Sequence, residues 1–213
     1  FIGNFVGAIP LASVNLIMPF ITVVWGVILM FASGSAVIAG KYLGEDNPHS
    51  ACDIFSKTVV IIFFAMILLS IISYFFPEYI SFLLGARNET LAMCVEYLKN
   101  IAWFYPIFGF AVLMSYFLRI DGRPIYAFCG LLSTTIANIL LDYIFVARLD
   151  LGLKGAALAT GLAFVIGMTV VLPHFLGKYG SIKFILPHGS WREIPRAAFN
   201  GFSEFLTETS AGF

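Results

Sequence analysis

Long apolar runs alternate with short polar breaks along this chain, at a spacing set by a bilayer rather than by a soluble core. A helix that crosses a membrane needs about 20 mostly apolar residues. Residues 1–40 carry no charge, which is too long for one such helix. The break Gly7-Ala8-Ile9-Pro10 predicts the end of a first helix before it and a second helix over Ala12–Ala39. Lys41 to Ser56 reads as a loop and helix entry, and Thr58–Pro77 as a third span. Glu78–Thr90 follows as a loop with its turn at Gly85–Asn88. A fourth span runs from Met93 to Leu118, kinked at Pro106, with Lys99 near its start. Arg119–Arg123 makes a tight turn, and Pro124 opens a fifth span at a favoured first helical position. That span closes near Ala147, Arg148–Lys154 is a loop, and the sixth span covers Gly155–Leu176 with Pro173 near its end. Residues 177–191 form a linker, and residues 192–213 begin a seventh apolar segment behind Trp191, a residue suited to a lipid–water interface.

Composition agrees with that pattern. Hydrophobic residues make up 60% of the chain and charged ones 11%, against about 25% charged in soluble domains. Twelve basic residues balance twelve acidic ones, so no basic stripe is available for nucleic acid. The loops after the second, fourth and sixth spans hold eight Lys and Arg, and the opposite loops hold four. This asymmetry predicts that the first set, including the linker after the sixth span, is cytoplasmic. Cys52, Cys94 and Cys129 lack metal, redox or disulfide spacing and read as small apolar fillers. His49, His174 and His188 have no partner at metal-ligand spacing either. There is no phosphate-binding Gly loop and no nucleophile elbow, so nothing points to an enzyme or a bound cofactor. The chain opens without Met and stops inside an apolar run, which predicts a piece of a longer polytopic protein.

One residue breaks the pattern. Asp142 interrupts the fifth span, where an ionised carboxylate near the bilayer centre costs about 2.5–3.5 kcal/mol. Thr135, Asn138 and Asp142 fall on one stripe of that helix. Carboxylate, amide and hydroxyl oxygens together suit a small hard cation. A short loop makes the fifth and sixth spans antiparallel neighbours. Asp142 and Thr160 lie at matching depths either side of it, so Thr160 can face the stripe. The bland alternative is that Asp142 pairs with Arg148 or Lys154 near the membrane surface. In the seventh segment, Glu204 and Glu208 share a face with Asn200 and Thr207, and two such carboxylates can share a proton. A patch of small residues, Ala32–Ala36 with Ala39 and Gly40, predicts close helix packing on the second span.

Several runs resemble the multidrug and toxic compound extrusion (MATE) transporters. Phe117-Leu118-Arg119-Ile120-Asp121-Gly122-Arg123-Pro124 is similar to their LRxxGxP turn. The run from Asn138 through Asp142 to Phe145 resembles their fifth-helix motif, and Gly152–Thr160 the entry to their sixth helix. Pro10–Pro19 resembles their first loop and second-helix start, and Gly201–Leu206 the opening of the seventh helix in the bacterial drug-exporter branch.

The resemblance implies an all-α, polytopic transmembrane helix bundle of twelve helices in two six-helix lobes. Residues 1–176 are then the amino-terminal lobe with its first helix truncated. Residues 177–191 are the cytoplasmic linker, and 192–213 start helix seven of the second lobe. It also implies a sodium- or proton-coupled antiporter that exports small organic cations from a prokaryotic plasma membrane. By position, Asn138, Asp142 and Thr160 match the family's cation-coupling cluster, and Glu204 matches an acidic position of its seventh helix. The family's acidic residue in the first helix falls before Phe1. Two rival readings stand beside this one. A lipid-linked oligosaccharide flippase shares the architecture but calls for a basic cavity. A non-transporting membrane scaffold leaves the buried polar stripe without a purpose.

Overall fold

The structure, a computed structural model, describes residues 6–177 and 180–212, and every regular element among them is helical. The truncated first helix expected before Gly7 lies almost wholly outside the described residues. Four helices are long and apolar enough to cross a bilayer: α1 (Ala8–Gly44), α2 (Pro48–Phe75), α6 (Pro124–Asp142) with the turn that extends it to Arg148, and α7 (Gly152–Leu176). A fifth crossing is broken into α4 (Asn88–Ala102) and α5 (Tyr105–Ile120), bent by 55°. The chain is therefore an integral membrane helix bundle.

Several boundaries differ from the expected ones for physical reasons. Helix α1 has 37 residues, about 55 Å at 1.5 Å per residue, well beyond the hydrocarbon core. It starts directly after Gly7, whose φ of 114° suits glycine. Pro10 sits in its first turn, where a missing N–H costs nothing. Helix α2 begins ten residues earlier than Thr58, because Pro48 occupies its first turn and Asn47 Oδ1 accepts the Ser50 N–H at 3.1 Å. The loop expected over Glu78–Thr90 contains a short helix, α3 (Pro77–Leu83). Helix α7 starts at Gly152 rather than Gly155.

The break in the α4–α5 span comes at Trp103–Phe104, just ahead of Pro106. Proline cannot donate to the carbonyl four residues back, which is Ala102. Ser70 Oγ on α2 fills the gap and donates to Ala102 O at 2.6 Å. In lipid such a freed carbonyl must be satisfied from within the protein. The kink is thus a tertiary feature, held by a neighbouring helix.

Helix α1 runs through the middle of the bundle and packs against α2, α4 and α5. Rings of Trp25, Phe108 and Phe164 join α1, α5 and α7, with centroids 4.7–5.8 Å apart. Near the linker, Phe55 stacks on Phe175 at 5.0 Å and meets Phe117 at 4.8 Å. Beyond the linker the chain forms α8 (Glu193–Asn200) and α9 (Phe202–Gly212), both packed on α1. The small-residue patch on α1 receives α8, while α9 lies further along α1 over Gly26 and Thr22. A Cβ on Gly34 would overlap the backbone of Ala197 and Gly201, and one on Gly201 would overlap that of Met30. The three cysteines are free, two buried and Cys129 exposed. Cys52 is not a passive filler, since its thiol is hydrogen-bonded to the linker.

Candidate functional site

Helices α6 and α7 are joined by Leu149–Leu151 and pack antiparallel along most of their length. Glycines set the spacing: a Cβ on Gly130 would overlap Val171, and one on Gly167 would overlap Thr134. This close approach brings Asn138 to Thr160. The Asn138 amide Nδ2 donates to Thr160 Oγ1 at 3.4 Å, and Thr160 Oγ1 in turn donates to Ala156 O at 3.0 Å. Both residues are partly buried.

Asp142 follows one turn after Asn138 and is also partly buried. It is the last residue of the regular helix. From Tyr143 to Arg148 the chain winds as a π-turn, a local widening that recurs at functional sites. The wider turn carries Arg148 to Tyr143, where Nε donates to the phenol oxygen at 3.1 Å and the guanidinium lies 5.5 Å from the ring centroid. Among the described residues, no ion pair joins Asp142 to Arg148 or Lys154. A nearby polar side chain that the chain order conceals is Tyr97 of α4, 9% exposed, with no hydrogen bond to Asp142 among the described residues. Its signal in the sequence is faint: Cys94, Tyr97, Leu98 and Ile101 form the buried stripe of α4.

Not every expected residue joins this cluster. Thr135 is exposed, and its hydroxyl donates to Leu131 O at 3.0 Å within its own helix. Glu204 and Glu208 lie apart from this cluster on α9, the helix packed along α1 beyond the linker. Glu204 is exposed and Glu208 partly buried. Of the expected residues, Asn138 and Thr160 are therefore joined across α6 and α7, and Asp142 follows one turn further along α6. Among the described residues, no group of three or more His, Cys, Asp or Glu could hold a metal ion. A cation here would rest on one carboxylate with amide and hydroxyl oxygens, a donor set fitted to a small hard ion or a proton.

The sequence model of the MatE family matches residues 1–144, about two thirds of the chain. The chain belongs to the MatE family. It is 28% identical over its whole length to the multidrug export protein MepA of Staphylococcus saprophyticus and covers 48% of it. It is 26% identical to MepA of Staphylococcus aureus, again covering 48%. Among solved structures it resembles an outward-facing multidrug resistance MATE family transporter of the MOP superfamily, with TM-score 0.90 and 20% identity, over 98% of this chain and 47% of that one. It also resembles a MOP superfamily transporter from Pyrococcus furiosus described as having a binding pocket of reverse polarity, with TM-score 0.89 and 20% identity, over 98% and 47%. These likenesses establish the fold as half of a MATE transporter. The MatE chain spans about half the length of the curated relatives it matches.

Proposed function

We propose that this chain is the amino-terminal lobe of a multidrug exporter that exchanges small organic cations for sodium or protons by alternating access. Residues 1–176 form the lobe, 177–191 the cytoplasmic linker, and 192–213 the start of the second lobe. The whole protein sits in a prokaryotic plasma membrane. Asn138, Asp142 and Thr160 hold the coupling ion, and Glu204 and Glu208 flank the transport pathway. The observation that carries this reading is the Asn138–Thr160 hydrogen bond across two spans, with a partly buried carboxylate one turn away and no Lys or Arg paired to it among the described residues. A carboxylate kept in a span at that cost has a partner to hold. Coupling follows if the ion and the drug favour different conformations of the two lobes.

The test uses the full-length protein in membrane vesicles. Efflux of a cationic dye is followed under a sodium gradient and, separately, under a proton gradient. Asp142→Asn keeps the shape and removes the charge, and it abolishes gradient-driven efflux under whichever ion couples, with expression unchanged. Undiminished efflux in that variant overturns the coupling role. Transport of an anionic lipid-linked sugar with no dye efflux would favour the flippase reading instead.

A further inference from the structure

We propose that the linker is a fixed strap, not a slack tether: residues 180–190 are latched along the end of α2 and carry α8 as part of the α1–α7 body. The strap runs extended, so the N–H groups of alternate residues face the same side. Those of Ser181, Lys183 and Ile185 meet side chains of the bundle. Ser181 N donates to both oxygens of Asp121, at 3.0 and 3.2 Å. Lys183 N donates to Cys52 Sγ at 3.3 Å, and Ile185 N to Ser56 Oγ at 3.0 Å. The spacing explains the match. Two residues of a strand advance about 6.6 Å, and the four residues from Cys52 to Ser56 advance about 6 Å along α2.

A carboxylate holds each end. Asp121, in the α5–α6 turn, is paired with His174 Nε2 of α7 at 2.7 Å, and both side chains are under 5% exposed. Gly180 passes so close over this pair that a Cβ would overlap both side chains. At the other end Asp53 Oδ1 accepts the His188 N–H at 2.7 Å, while Lys57 Nζ donates to Asp53 Oδ2 at 2.5 Å and to Ser190 O at 2.9 Å. Between them Ile182 is fully buried, and the Phe184 ring lies 4.9 Å from that of Phe55. Tyr42 of α1 then hydrogen-bonds Glu193 at the start of α8. The helix breaks at Gly201, between α8 and α9.

Hydrogen exchange and thiol alkylation of the full-length protein test the strap with no substrate or ion gradient, so failure of the antiport reading leaves the result untouched. The amides of Ser181, Lys183, Ile185 and His188 exchange at least about 100-fold slower than in a free peptide of the same sequence. Cys52, under the strap, reacts slowly with N-ethylmaleimide, as read by mass spectrometry of its peptide. Gly180→Ala sets a Cβ against the Asp121–His174 pair and lifts the strap while leaving both of those residues in place. It raises Cys52 alkylation about 10-fold or more, as opening of the covering segment sets the rate. Cys94 stays unreactive in the same sample and reports that the bundle is folded. Asp121→Asn acts in the same direction. Wild-type amides that exchange within a few-fold of the free peptide overturn the proposal, as does a Cys52 rate unchanged by Gly180→Ala.

Discussion

Replacing Asp53 by Asn should cost this protein more than most single substitutions, because it strands a buried cation. The Lys57 side chain is 2% exposed, and its ammonium is held by Asp53 Oδ2, by Ser190 O, and at 6.0 Å by the face of Trp191. Removing the carboxylate's charge leaves that ammonium with one neutral carbonyl and one ring. Breaking a buried pair in this way costs about 3–5 kcal/mol, mostly the penalty of the charge left behind. Lys57→Met should cost less, about 2 kcal/mol, because Asp53 is 14% exposed and keeps the His188 N–H. Replacing both, Lys57→Met with Asp53→Asn, removes the charges together and should fall well below the sum of the two single costs. Reversible unfolding of the purified full-length protein in mixed detergent–SDS micelles measures all of these. An Asp53→Asn cost below about 1 kcal/mol, or a double variant equal to that sum, would refute the argument that Lys57 is charged and dry.

Three further predictions rest on separate contacts. Ser70→Ala leaves the Ala102 carbonyl without its donor and should destabilise by about 1–3 kcal/mol. Adding Pro106→Ala should recover much of that loss by restoring a backbone N–H, and no recovery would show that Ser70 acts otherwise. Gly34→Val forces a side chain into the backbone of Ala197 and Gly201. It should cost about 1–3 kcal/mol or more, seen as a drop of several degrees in the thermal midpoint; an unchanged midpoint would mean that α8 does not seat there. Thr160→Val removes the acceptor of Asn138 while keeping the shape. It should weaken apparent coupling-ion affinity by about 5–10-fold, in line with one lost hydrogen bond of about 1 kcal/mol, read as the ion concentration that half-saturates efflux.

Hydrophobic spacing alone made the spans legible, since a bilayer demands about 20 apolar residues whatever the neighbours are. Asp142 was legible for the same reason, because a charge in such a run is costly wherever the helix packs. Asn138 and Thr160 could be set facing each other because a short loop fixes two helices antiparallel. The small residues of α1 likewise announced a close contact, though not that Ala197 and Gly201 make it. What stayed hidden is what long-range packing decides. Ser70 and Ala102, Asp121 and His174, and Lys57 and Ser190 are distant along the chain, and periodicity says nothing about which faces meet. The strap over α2 belongs to the same class. In each, backbone or charged groups excluded from water take the partners that the assembled helices bring within reach. The sequence by itself determined where the chain crosses the membrane and which carboxylate it keeps there. Tertiary structure alone decided how the kink at Trp103–Phe104 is satisfied and how the linker is held, because both depend on groups that only packing brings together.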